Sequence, residues 1–351
     1  MEALIDRFGD GAVLIGIGAV TGLLFGAAAQ HSRFCLRAAT VEVADGALGP
    51  KLAIWLIAFS AAVTGVQAAV VAGWLDVSEA RQLAGTGSLS GALIGGLMFG
   101  AGMILARGCA SRLLVLSATG NLRAIVTGLV LTLVAQASLR GVLSPLREEI
   151  GSWALIDGGQ ARNLLSALGL GHGIAAVLAG GVLMAGFGLA LRRGIAPGPA
   201  VAAALVGGAV ALGWVLTYRL AQSSFEVVPI SSVTFTGPST DTLMGLVNAR
   251  SLPASFGIGL VPGVFVGAAL MALINREFRI QRFGADTPME RYLMGAVLMG
   301  FGSMLAGGCA VGAGVSGGAI FSVTAWLAVM AMWIGAMATH LALTRRAFAP
   351  A

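Results

Sequence analysis

Charge is what this sequence has least of. Only 10% of its 351 residues are Asp, Glu, Lys or Arg, against about 25% in a soluble domain, and so few charges cannot cover a water-exposed surface. Lysine is almost missing: Lys51 is the single one, and every other basic residue is arginine. It stands in Gly49-Pro50-Lys51-Leu52-Ala53, which is not a Walker A loop, so nucleotide-driven chemistry of that kind is excluded. Cysteines number three, an odd count that closes no disulfide framework. His31, His172 and His340 share no metal-ligand spacing, so no metal or cofactor is expected. Basic residues exceed acidic ones by six but lie scattered between apolar segments, which argues against a nucleic-acid partner.

What is abundant is apolar. The AVILMFWYC residues make up 57% and the mean hydropathy is +0.92, which excludes a disordered chain. The 53 glycines follow no three-residue period, so the chain is not collagenous. A hydrocarbon core of about 30 Å needs roughly 20 apolar residues per helix. Nine segments meet that need: 12–30, 51–75, 88–106, 122–143, 173–191, 199–218, 255–275, 290–306 and 322–343. The expected class is therefore all-α: one polytopic membrane domain over 1–351 with about nine transmembrane helices. Gly26-Ala27-Ala28-Ala29-Gln30 could pass for a signal-peptidase site, but Glu2, Asp6 and Asp10 give the preceding tail the wrong sign, so the first helix is read as retained. Basic residues divide 14 to 7 between alternate sides, which predicts an outside N-terminus and a cytoplasmic C-terminus.

Two stretches match at an offset of 200 residues. Residues 95–115, GGLMFGAGMILARGCASRLLV, and 295–315, GAVLMGFGSMLAGGCAVGAGV, share nine of 21 positions, including a Leu-Ala-x-Gly-Cys-Ala block. Five crossings separate Cys109 from Cys309, and an odd number turns the second copy over, giving an inverted internal repeat. The expected division is 12–143 for the first copy, 144–198 for a connector with one helix, and 199–343 for the second. Glycine pairs such as Gly91/Gly95, Gly96/Gly100 and Gly308/Gly312 are read as helix packing.

After each repeated cysteine comes an apolar stretch too short to cross, Leu113 to Thr119 and Ala310 to Phe321. Non-helical backbone at membrane depth is tolerated only inside protein or along a cavity, and Gly108 and Gly308 supply a backbone able to turn there. Two short re-entrant half-helices are expected, meeting near the midplane, with Cys109 arriving from the cytoplasmic side and Cys309 from the outer side. The N-terminus of a half-helix attracts anions and favours thiolate. Cys35 follows the first helix, and its counterpart region, Ser231–Thr240, has no cysteine and reads as an outer re-entrant hairpin. Asp241 and Glu226 are placed in that outer loop, so no intramembrane carboxylate pair marks a proton site. The arginine excess either answers an anionic substrate or reflects the codon usage of a GC-rich genome.

At Arg33-Phe34-Cys35, Arg107-Gly108-Cys109-Ala110-Ser111-Arg112 and Gly307-Gly308-Cys309-Ala310-Val311-Gly312 the chain resembles the YeeE/YedE sulphur-transport family. The likeness runs on through Phe235-Thr236-Gly237-Pro238 and the Gly257–Leu273 helix, covering nearly the whole chain. The resemblance implies an hourglass-shaped bacterial inner-membrane protein with re-entrant helices that imports thiosulfate. It further implies that three cysteines relay the anion through thiol hydrogen bonds, at positions matching Cys309, Cys109 and Cys35. The chain departs from many members at Ala310 and Ala313, where a hydroxyl and a polar residue are common.

The expected binding residues are Cys309, Cys109 and Cys35 with Gly308 and Gly108. Arg107, Arg112, Arg33 and Arg37 would hold the anion on the cytoplasmic flank through charge-assisted hydrogen bonds. The reading is uptake of thiosulfate or a related sulfur anion, not catalysis, with the lipid bilayer and a cytoplasmic sulfur-carrier protein as possible partners. The alternative is a membrane sulfurtransferase relaying sulfane sulfur through cysteine persulfides; a third is thiolate-based soft-metal transport.

Overall fold

The computed structural model describes residues 1–248, 253–284 and 288–348. Thirteen helices carry the architecture, in the order α1 (Asp10–Ser32), α2 (Leu36–Ala44), α3 (Pro50–Val71), α4 (Leu89–Leu105), α5 (Ala110–Ala118), α6 (Leu122–Arg140) and α7 (His172–Arg192), then α8 (Pro197–Ser223), α9 (Thr236–Asn248), α10 (Phe256–Ile274), α11 (Met289–Leu305), α12 (Ala310–Gly317) and α13 (Val323–Phe348). Among the described residues, nine apolar segments are long enough to cross a membrane, and they coincide with the nine segments expected from hydropathy. The protein is an all-α, multi-pass membrane protein. Among the described residues a single strand pair joins Gly87–Ser88 to Leu155–Ile156.

The long helices begin where local chemistry satisfies their free N–H groups. Asn121 Oδ1 accepts from the Ala124 N–H at 2.9 Å to start α6, and Ser88 Oγ accepts from Gly91 at 2.8 Å to start α4. Pro50 opens α3, and the Glu42 carboxylate accepts from the N–H groups of Lys51 and Leu52, both at 2.9 Å. Each device replaces a partner the first turn lacks.

The packing scheme repeats itself. α10 lies on α1 as α3 lies on α8, and α13 lies on α4 as α6 lies on α11. α1 meets α8, and α4 meets α11, across the line relating the two sets. α4 and α11 end at Leu105 and Leu305, the offset found in the sequence. Of the long helices described, α7 stands outside this scheme; it packs on α3, and little of it is buried.

Small residues make these contacts close. A Cβ at Gly95 would strike the backbone of α11, and one at Gly100 the backbone of α13. The packing role expected for these glycines is what the helices use.

Among the short helices between the spans, four concern the cysteines and their counterpart, α2, α5, α9 and α12, two more than the cysteine pattern indicated. α5 begins at Ala110, three residues before the expected stretch, because Cys109 itself is its N-cap. The chain past Cys35 also folds, into α2, and the expected outer hairpin is the helix α9, which places Asp241 on a helix and not in a loop. Polar residues spaced through 36–44 and 236–248 hide these short helices from a hydropathy reading.

Candidate functional site

All three cysteines occupy the same local position. Cys35 is the N-cap of α2, Cys109 of α5 and Cys309 of α12. Each follows a reversal of the chain. Arg33 ends α1 at φ 54°, Arg107 follows α4 at φ 56°, and Gly307 follows α11 at φ 78°. Left-handed backbone stops the long helix and lets a short one start three residues on. α2 and α9 start 200 residues apart, so the position matching Cys35 is Phe235, packed 5.1 Å from Phe25. The fourth short helix therefore has an aromatic ring where the others have a thiol.

Cys109 and Cys309 are each 1% exposed, Cys35 is half-buried, and all three are free thiols. α5 touches α12, and Cys109 lies within electrostatic range of both Cys35 and Cys309. Cys109 is thus a neighbour of both other thiols. Their hydrogen bonds differ: Cys109 Sγ is 3.3 Å from Ser111 Oγ, whereas Cys309 Sγ accepts from the Gly312 N–H at 3.5 Å. Gly108 and Gly308 are both buried beside their cysteines.

On the Cys309 side lies a polar cavity of about 550 Å³ whose floor includes Gly307 and Gly308. Arg81, Arg140, Arg147 and Arg162 line it, with Thr234 and Asp241. Arg162 is 7% exposed; it donates to Gly85 O at 2.6 Å and to Thr324 Oγ1 at 2.7 Å. Burial, and then neighbouring Arg81, lower its pKa from the ordinary arginine value. Nε of Arg147 and of Arg162 makes no hydrogen bond within the protein. None of these arginines was marked by the sequence, because they come from loops and helix ends far from any cysteine.

On the Cys35 side the four expected arginines separate. Arg37 and Arg107 lie near each other, joined by Arg291 and Arg123. Arg123 stacks over the Tyr292 ring at 4.7 Å, a cation–π contact that steadies a charge near the protein interior. Arg37 Nε, Arg291 Nε and Arg112 Nη1 are buried without a hydrogen-bond partner in the protein. Arg33 instead is exposed and pairs with Glu277 at 2.9 Å, while Gln30 donates to the same carboxylate at 2.8 Å. The hydrogen bond from Arg33, opposed by burial and aided by Gln30, holds the Glu277 carboxyl below its ordinary value. Arg123 and Arg291 could have been noticed as charges within apolar spans, where ionisable residues are costly and tend to have a role.

Such an arrangement suits an anion. Each end of the cysteine series carries arginine donors that the protein leaves free, and each cysteine sits at a helix start whose N–H groups favour negative charge. Comparison with known proteins points the same way. The sulphur-transport family profile matches residues 31–338. The thiosulfate transporter TsuA of Escherichia coli (strain K12) is 28% identical over 329 residues, 91% of each chain. The thiosulfate transporter TsuA of Spirochaeta thermophila is 26% identical over 356 residues, 92% of this chain and 97% of the other.

Proposed function

Since the chain belongs to the sulphur-transport family, we propose that it imports thiosulfate or a closely related sulfur anion across a bacterial inner membrane. The observation that carries this reading is the cysteine series, with each thiol at the start of a short helix and arginines at both ends. In this reading residues 12–143 and 199–343 are the two inverted copies and 144–198 connects them. The cavity beside Gly308 faces outside, and Arg37, Arg107 and Arg112 face the cytoplasm with Arg33 at their rim. Both termini follow the charge count, N outside and C inside.

The mechanism follows from desolvation. A dianion cannot enter hydrocarbon unless its lost hydration is replaced by donors. Arg81, Arg140, Arg147 and Arg162 collect it at the outer cavity. Beyond Gly308 the donors are helix N–H groups and thiols, which hold the anion weakly at Cys309, Cys109 and Cys35 in turn. Several shallow sites let the ion leave as readily as it arrives, which conduction requires. The burial of Cys109 and Cys309 implies that small movements of α5 and α12 open the way. A cytoplasmic sulfur-carrier protein would then receive the product at the Arg37/Arg107 face.

Uptake of labelled thiosulfate into liposomes holding the purified protein, with sulfate as control, tests the reading. Accumulation of thiosulfate, loss of it in Cys309→Ala, and an unmodified Cys109 thiol by mass spectrometry are expected. A persulfide on Cys109 after turnover would instead favour the sulfurtransferase alternative.

A further inference from the structure

A second cavity, about 570 Å³ in volume, lies on the Cys35 side and contains none of the three cysteines. His31 and Arg33 at the end of α1, Lys51 at the start of α3, the first turn of α8, and Asn275 and Glu277 just past α10 form its walls. It is basic on balance, because Arg33 already pairs with Glu277. Lys51, the sole lysine of the chain, makes no ion pair among the described residues. Its helix start is already capped by Glu42, so the ammonium is free to serve something else.

The cavity ends an apolar groove. α8 and α10 both pack on α1 and scarcely on each other, which leaves the outward face of α1 open between them. Along that face Val20 and Leu23 are 60% and 46% exposed. Val201 and Leu205 are exposed on α8, and Leu270 and Ile274 on α10, the two helices that pack on α1. A basic hollow at the end of a lipid-facing groove matches one kind of molecule, with a negative head and hydrocarbon tails. A free inorganic anion would use the hollow and leave the groove unexplained.

We propose that this hollow, with Lys51 and His31 as its main contacts, binds the phosphate of an anionic phospholipid whose acyl chains lie over Val20 and Leu23. Membrane-interface clusters of basic residues recognise such headgroups electrostatically. The hollow shares Arg33 with the rim of the anion route, but its main contacts, Lys51 and His31, have no part in that route, so lipid binding is tested without the transport reading.

Native mass spectrometry of delipidated protein, titrated with phosphatidylglycerol and in parallel with phosphatidylcholine, tests it. Phosphatidylglycerol should bind more tightly, and Lys51→Gln should weaken it by about fivefold, the contribution of one basic residue near an anionic surface. Lys51→Arg should restore it, which separates lost charge from misfolding. Millimolar inorganic phosphate and thiosulfate, as further arms, should not displace the lipid. Equal binding of the two lipids, a Lys51→Gln variant indistinguishable from the parent, or displacement by either free anion would overturn the proposal.

Discussion

α5 and α12 come from matched sequence and carry matched cysteines, yet they fold differently. α5 is a regular α-helix of nine residues, whereas α12 is wound as a π-helix of eight. The residues after the cysteine explain this. Leu113, Leu114 and Leu116 favour α geometry, while Gly312, Gly314 and Gly317 allow the wider turn that is seen mostly at functional sites. All eight residues of α12 are buried, and Gly312 passes so near Thr234 that a Cβ would collide with it. The ends differ as well. Side chains hold the carbonyls in the last turn of α12 and just beyond it: Trp214 donates to Ser316 O at 3.3 Å, Trp326 to Gly318 O at 3.2 Å and Gln67 to Ala319 O at 2.7 Å. Past α5, backbone pairing with the 279–281 loop does the same work, Gln281 N–H donating to Gly120 O at 2.9 Å. The duplicated sequence fixed where the thiols sit, and each copy then found its own way to hold them.

The strongest test of that difference removes the thiols themselves. Cys309→Ala and Cys109→Ala should each lower thiosulfate uptake at least about tenfold, the loss expected if one stabilising contact of roughly 1.4 kcal/mol disappears from the path. Liposome uptake measures both. Full uptake by either variant would mean that the two short helices are not equivalent stations. Cys35→Ala, at the half-buried end of the series, should cost less.

Packing provides the next contrast. Gly312→Ala forces a methyl group into Thr234 and should destabilise by about 1–3 kcal/mol, the usual cost of overpacking. The matching Arg112→Ala adds no bulk and should leave the melting temperature nearly unchanged while weakening uptake. If both variants melt like the parent protein, α12 is less tightly held than its burial indicates.

The chain reversals should respond with opposite signs. Gly307 and Arg107 share left-handed backbone, one with the residue suited to it and one without. Gly307→Ala should cost about 1 kcal/mol, since a Cβ is disfavoured there by 1–2 kcal/mol. Arg107→Gly relieves that strain and should hold or raise the melting temperature, although uptake falls with the lost charge. Thermal melts of the pair decide it; equal shifts would remove backbone strain as the cause.

Much of this was legible in the sequence, for identifiable reasons. Apolar runs of about 20 residues have few structural options, so the nine spans could be placed to within a few residues. The Gly-Cys blocks at 108–109 and 308–309 exposed the duplication because cysteine is so rare here. The short helices α2 and α9 escaped, since a nine- or thirteen-residue helix with spaced polar residues resembles a loop in hydropathy. The cavity arginines escaped for another reason: Arg81, Arg147 and Arg162 meet only through the tertiary fold, and nothing adjacent in the chain marks them. The partner of Arg33 escaped too, because Glu277 lies more than 240 residues away in the chain.

That pair gives the smallest predicted effect, and one confined to one end of the molecule. The hydrogen bond from Arg33 depresses the Glu277 pKa in the folded protein. A depressed carboxylate contributes stability that is fully present above its unfolded pKa and is lost as pH falls through the folded value. Acid should therefore loosen the Cys35 side, and alkali should not. The side chains are 62% and 32% exposed, so solvent screening keeps the contribution small. Glu277→Gln keeps an oxygen for Arg33 but removes the charge, so it should melt slightly below the parent at neutral pH and converge with it only as pH falls below the ordinary carboxylate range. The Cys309 side has no such dependence built into Arg162, whose partners are a carbonyl and a hydroxyl; Arg162→Ala should lower the melting temperature by the same amount across that range. Melts in detergent from about pH 3 to pH 7 compare the two directly. A Glu277→Gln gap that persists in acid would assign the pair to packing instead of charge, and the two ends of the molecule would no longer differ in their response to pH.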